Sequence, residues 1–115
     1  MAIKKLTRGE IWEADLNPIQ SHEQGGTRPV LIVSVDPFNQ GPSGLVIVLP
    51  ISSQDKKVRS QVPVEPGEGG LRIRSFIKCE AVRSISIQRL RARWGAVSAD
   101  TITGVEDRLR ILLGL

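Results

Sequence analysis

Two β-branched runs constrain this chain more than any other feature: Pro29-Val-Leu-Ile-Val-Ser-Val and Leu45-Val-Ile-Val-Leu. Branching at Cβ crowds χ1 in a helix and packs well on a pleated surface, and apolar residues at consecutive positions mark a strand buried on both faces. Both runs therefore predict central strands. The second is expected to stop at Pro50, which has no N–H for a ladder.

The remaining segments arrange themselves around this pair. Residues 9–16 place Trp12, Ala14 and Leu16 on one side and Glu13 and Asp15 on the other, the period of a half-buried strand. Asn17 to Arg28 hold Pro18, Ser21, His22, Gly25 and Gly26 without apolar period. This reads as a loop, far longer than the about 2 to 5 residues usual between strands, and such loops more often bind or catalyse. Asp36 to Gly44 is a turn cluster, Gln61 to Glu65 a short edge strand carrying Pro63, and Pro66 to Gly70 another turn. Leu71 to Cys79 alternates Leu71, Ile73 and Ile77 with outward Arg72, Arg74 and Lys78, broken by a bulge at Ser75-Phe76. Val82 to Leu90 fits a strand or an irregular turn. At the C-terminus the period changes: Ser98 reads as an N-cap, Asp100 lies in the first turn, and Ile102, Val105, Leu109 and Leu112 recur at helical spacing, with Glu106 and Arg110 as an i,i+4 pair. Five or six strands and one terminal helix predict a mainly β fold, a small, strongly bent antiparallel sheet or barrel. Too few helices exist for the crossovers of a parallel sheet. A chain of 115 residues builds one core, so residues 1–115 are expected to form one domain.

Composition removes several function classes. One Cys and one His exclude a disulfide framework and a zinc site of the His/Cys type, and Cys79 reads as a small buried side chain. The longest apolar run, near Leu45 to Ile51, is too short to span a bilayer, so a cytoplasmic protein without membrane attachment is expected. Residues 71–115 carry nine Lys/Arg against four Asp/Glu, whereas residues 1–70 carry seven against eight. A basic second half suits a polyanion or an acidic protein partner, and equally a solvated strand face. With only Trp12, Phe38, Phe76 and Trp94 as aromatics, no interleaved stacking platform is expected, and both tryptophans read as core.

No phosphate-binding P-loop, H-E-x-x-H, G-x-S-x-G or EF-hand spacing occurs. What remains is polar residues bunched at strand ends: His22, Glu23, Gln24, Thr27 and Arg28 before the first β-branched run, and Ser52, Ser53, Gln54, Lys56 and Lys57 after the second. If the two strands are antiparallel neighbours, Arg28 lies beside Ser52. A guanidinium fork and a hydroxyl donor match the non-bridging oxygens of a phosphodiester. Spacing alone favours a plainer arrangement, with Arg28 paired to Glu23 and Ser52 capping a turn.

Longer motifs decide more. Arg8-Gly-Glu-Ile-Trp with Asp15-Leu-Asn-Pro, then Glu23-Gln-Gly-Gly-Thr-Arg-Pro-Val-Leu-Ile-Val-Ser, then Leu49-Pro-Ile-Ser-Ser-Gln closely resemble the MazF/PemK family of toxin–antitoxin ribonucleases. Glu80-Ala-Val-Arg-Ser-Ile, Gln88-Arg-Leu and the terminal amphipathic helix extend the resemblance over nearly the whole chain. It implies a compact SH3-like β-barrel with a C-terminal α-helix, assembled as a homodimer. The implied activity is cofactor-free and metal-independent cleavage of single-stranded RNA, usually mRNA, at a short sequence, leaving 2′,3′-cyclic phosphate and 5′-hydroxyl ends. The implied partner is a cognate antitoxin whose acidic, disordered tail covers the RNA site, operator DNA being met only through that antitoxin.

Residue by residue, the resemblance makes Arg28 the family's catalytic Arg and places Ser52 where the family has Thr. Serine keeps the hydroxyl and loses the methyl that limits χ1. Glu23 becomes a candidate for proton transfer. Arginine, with a pKa above about 12, is a poor proton carrier and suits electrostatic stabilisation of the phosphorane. That leaves Glu23 and His22 as candidate bases. Gln24, Thr27, Ser53, Gln54, Lys56, Lys57 and Arg83 are expected on the RNA, with Arg59 beside them. Two alternatives stay open: a gyrase poison of the CcdB type, and a catalytically silent RNA- or antitoxin-binding module.

Overall fold

The computed structural model describes residues 5–16 and 27–115. Seven antiparallel strands form one bent sheet: β1 (Glu10–Asp15), β2 (Thr27–Ile32), β3 (Leu45–Ser52), β4 (Gln61–Val64), β5 (Ser75–Lys78), β6 (Arg83–Ser86) and β7 (Leu90–Ala96). Their order is β4-β5-β3-β2-β1-β7, with β6 also on β3. The sheet bends without closing into a barrel. A single turn of helix, α1 (Asp36–Asn39), follows β2, and α2 (Ala99–Leu113) ends the chain.

Both β-branched runs are central, as their composition predicts. In β2, Val30 and Ile32 enter a core with Trp12, Ala14, Val46, Val48, Ile85 and Leu90, while Leu31 joins Ile11, Leu49, Ile51, Ile77 and Val105 on the opposite face. Ile102 and Leu109 of α2 pack on this second core. Trp12 and Cys79 are core residues as expected, whereas Trp94 is 39% exposed and Ile73 58% exposed. Ile73 leaves the core because Leu71 to Arg74 form no strand, β5 starting only at Ser75.

The prolines explain where the ladder changes. β3 runs through Pro50 to Ser52 rather than stopping before it. Val33 N–H donates to Ile47 C=O at 2.9 Å. From there, alternation turns the Pro50 nitrogen away from β2. On that other side β3 pairs with β6 only as far as Val48 and with β5 only from Ile51, so the missing N–H falls in a gap between two partners. The same alternation aims the Pro29 nitrogen at β3, where a donor is needed. Pairing of β2 with β3 accordingly ends at Val30–Pro50, and Thr27, Arg28 and Pro29 pair with β1 alone. Two strands that run side by side thus part at the end carrying Arg28 and Ser52.

The terminal helix begins as its sequence predicts, with Ser98 Oγ accepting Thr101 N–H at 3.2 Å. The expected Glu106–Arg110 pair does not form. Glu106 reaches Arg8 at 2.8 Å and Arg110 sits 3.5 Å from Asp107, because Arg8, bonded also to Val33 C=O, offers Glu106 a less exposed cation. Leu112, on the predicted apolar stripe, is 46% exposed, so the stripe outruns the core by its last turn.

Glu68 ties the turn before β5 to this helix, accepting Ser98 N–H at 2.9 Å and Thr101 Oγ1–H at 2.6 Å. Burial pushes its carboxyl up, but these bonds outweigh burial and hold it below the ordinary 4.5. Glu10 and Glu80 shift down in the same way, each against burial, through bonds from Trp12 and Arg93 and from Gln61 and Ser60. Carboxyls depressed in the folded state stabilise it above their unfolded value, and the contribution is lost as pH falls through the folded value. Glu68→Gln is therefore expected to cost about 0.5–1 kcal/mol at neutral pH. Thermal melts should show that cost shrinking as pH falls through the lowered folded-state value of Glu68, where wild type loses the same charge.

Candidate functional site

The parted ends of β2 and β3 open onto a cavity of about 710 Å³. Thr27, Arg28 and Pro29 of β2 and Ile51, Ser52 and Ser53 at the end of β3 form one side, and Gly70 to Ile73, Ser75 and Trp94 complete its lining. Arg28 and Ser52 thus line one cavity, as antiparallel pairing of the two strands implies.

Their chemistry is available to a ligand. Ser52 Oγ accepts Gln54 N–H at 3.0 Å, so the turn cap foreseen from the sequence is real. That bond occupies a lone pair and orients the oxygen, leaving its O–H proton to donate. Arg28 is exposed, and among the described residues no carboxylate lies within ion-pair distance of it. Arg72 is likewise exposed and unpaired within that set.

Part of the basic second half is neutralised by ion pairs. Arg74 binds Glu65 at 2.8 Å and lies 5.0 Å over the Phe76 ring, Arg91 reaches Asp15 at 3.2 Å, and Arg93 reaches Glu10 at 2.8 Å. Among the described residues that line the cavity, Arg28 and Arg72 are the two cationic side chains, and neither is in an ion pair of this set. The ion-paired arginines are the solvated face that composition offered as one alternative.

Other sequence candidates lie elsewhere. Gln54, Lys56 and Lys57 occupy the turn after β3, outside the cavity lining. There Asp55 accepts Lys57 N–H at 2.9 Å, and that bond outweighs slight desolvation to hold the Asp55 carboxyl below its ordinary value. Arg83 faces Val48 on β6, across β3 from β2 and outside the cavity. His22, Glu23 and Gln24 lie outside the described residues. Cys79, with burial pushing its thiol up to about 11, is no nucleophile. Among the described residues no group of three or more His, Cys, Asp or Glu side chains could hold a metal ion. No helix there is long and apolar enough to cross a membrane.

Sequence reasoning had Arg72 only as one of a basic face whose role stayed open, and it missed Ile73 and Trp94. Gly69, Gly70 and Gly95 were the available signal. A Cβ at Gly95 would lie 2.7 Å from the Gly69 carbonyl carbon, and one at Gly70 would overlap the Trp94 carbonyl. This backbone-on-backbone contact brings the 70–73 segment and Trp94 to the same cavity.

The sequence profile of PemK-like, MazF-like toxins of type II toxin–antitoxin systems matches residues 7–113. Endoribonuclease MazF9 of Mycobacterium tuberculosis is 33% identical over 115 residues, covering 96% of this chain and 98% of that protein. Among solved structures, MazF from Deinococcus radiodurans matches with a TM-score of 0.82 at 26% identity, over 98% of this chain and 100% of the other. The MazE–MazF complex from the same organism gives 0.85 at 26%, over 98% and 99%. Profile, curated relative and fold agree, and the chain belongs to the PemK-like, MazF-like toxins of type II toxin–antitoxin systems.

Proposed function

We propose that this toxin is an endoribonuclease that cuts single-stranded RNA at the parted ends of β2 and β3, using the RNA's own 2′-hydroxyl as nucleophile. The observation that carries the reading is Arg28 and Ser52 on one open cavity, at the positions matching the family motif. Arg28 holds two non-bridging oxygens of the scissile phosphate through its fork and stabilises the phosphorane charge. Ser52, its oxygen fixed by Gln54 N–H, donates its proton to the same group. Glu23 is the residue we assign to accept the 2′-hydroxyl proton. The 2′-oxygen bonds to phosphorus as its proton passes to Glu23, the P–O5′ bond breaks, the departing 5′-oxygen takes a proton from water, and the products carry a 2′,3′-cyclic phosphate and a 5′-hydroxyl. Gln24, Thr27, Ser53, Gln54, Lys56, Lys57 and Arg83 are the wider RNA contacts of this reading.

An acidic antitoxin segment suits the cavity's two arginines, and MazE accompanies MazF in the Deinococcus complex. Ile111, Leu113 and Leu115, more than half exposed, support assembly as a homodimer. The cytoplasm, where mRNA is found, is the place of action. The named endoribonuclease relative and the Arg28–Ser52 cavity favour this reading over the gyrase poison and the silent binder.

The test is digestion of a long single-stranded RNA in EDTA with mapping of cut sites. Wild type is expected to cut at one short recurrent sequence. Ser52→Ala should lower kcat about 100-fold and Ser52→Thr should retain or raise it. Intact RNA together with trapped gyrase–DNA cleavage complexes would overturn the reading in favour of the poison.

A further inference from the structure

Trp94 is one of two residues of β7, with Arg91, that the ladder with β1 skips. Ile11 pairs with Gly95 and Trp12 with Arg93, leaving Trp94 as the extra residue of a bulge. A bulge re-aims the side chain it carries, and bulges concentrate beside active sites. Here the indole is 39% exposed on the wall of the cavity that holds Arg28 and Ser52. The other tryptophan, Trp12, is 8% exposed and in the core. A large aromatic face left open to solvent at a cationic site gains nothing for the fold by its exposure. It gains much from an unpaired base, because every base offers a π-face. Arg72 and Ile73, exposed beside it, supply a cation and an apolar edge.

We propose that Trp94 is a stacking platform for an unpaired base next to the scissile phosphate, with Arg72 holding the phosphate of that nucleotide. This deepens the nuclease reading and rests on it for the identity of the ligand. Stacking is tolerant of base identity, so Trp94 sets affinity rather than the cut sequence.

The test compares wild type, Trp94→Ala and Trp94→Phe on a cleavable oligoribonucleotide, and titrates each with its 2′-O-methyl counterpart, which cannot be cut. Trp94→Ala should raise KM about 10- to 100-fold with kcat within about threefold and the cut sequence unchanged. Trp94→Phe should recover most of that loss. In wild type the uncut oligonucleotide should quench tryptophan fluorescence, and in Trp94→Phe, where only buried Trp12 emits, the quench should vanish. An unchanged KM in Trp94→Ala overturns the proposal while leaving the nuclease reading intact. So does a loss that Trp94→Phe fails to recover, or one confined to antitoxin binding. Quenching without cleavage of any RNA would instead fail the nuclease reading and keep the platform.

Discussion

Arg28→Ala is expected to lower kcat for RNA cleavage by about 100- to 1,000-fold while leaving the melting temperature within a few degrees of wild type. The separation of the two effects follows from position. Arg28 is exposed, pairs through its backbone with Ala14 on β1, and has no ion-pair partner among the described residues, so its removal strips charge from the cavity and little from the fold. Arg28→Lys keeps the charge but loses the planar fork and should recover only part of the rate. Single-turnover cleavage beside thermal melts of the three proteins makes the measurement. A rate loss matched by an equal collapse in stability would assign Arg28 to the fold instead.

Gly70→Ala should produce the largest stability loss of any single methyl added to this chain's described glycines. Gly70 has a φ of +81°, and its added Cβ would clash with the Trp94 carbonyl oxygen and lie 2.8 Å from its carbon. Those are backbone atoms of β7, which cannot rotate aside. Left-handed strain and overpacking together cost about 3 kcal/mol, or roughly 10 °C or more in melting temperature. Gly67 provides the control: its φ is +100°, yet nothing lies within 4 Å, so Gly67→Ala should pay only the backbone cost of about 1–2 kcal/mol. Equal melting temperatures for the two variants would mean that the turn does not rest on β7 as described.

How far the fold was legible depends on the kind of signal. The two β-branched runs announce buried central strands because consecutive Val and Ile leave no polar face, and both β2 and β3 are buried on both sides. Ser98 announces the start of α2 through a local bond to Thr101. Signals that depend on a distant partner were lost. Pro50 reads as a stop in one dimension, but in the sheet it occupies a gap between β6 and β5. Glu106 reads as the partner of Arg110, but Arg8, far away in sequence, takes it. Ile73 alternates like a strand residue, yet its segment joins no ladder.

The site divides in the same way. Arg28 and Ser52 could be brought together from sequence because each sits at the end of a recognisable strand and antiparallel pairing fixes which ends meet. Trp94 could not, since a one-residue bulge decides whether it faces core or cavity, and the bulge depends on pairing between β1 and β7. The glycines at 69, 70 and 95 marked a close approach without saying what approaches what.

We propose that the cavity at the parted ends of β2 and β3 cleaves RNA through the substrate's own 2′-hydroxyl. The most direct test is an oligonucleotide of the mapped cut sequence carrying a single 2′-deoxynucleotide on the 5′ side of the scissile phosphate. The account predicts that it binds as tightly as the all-ribose strand and is not cut, while the all-ribose strand yields a cyclic phosphate and a 5′-hydroxyl. Cleavage of the deoxy-substituted strand at that bond would contradict the account, because the nucleophile would then have to come from elsewhere.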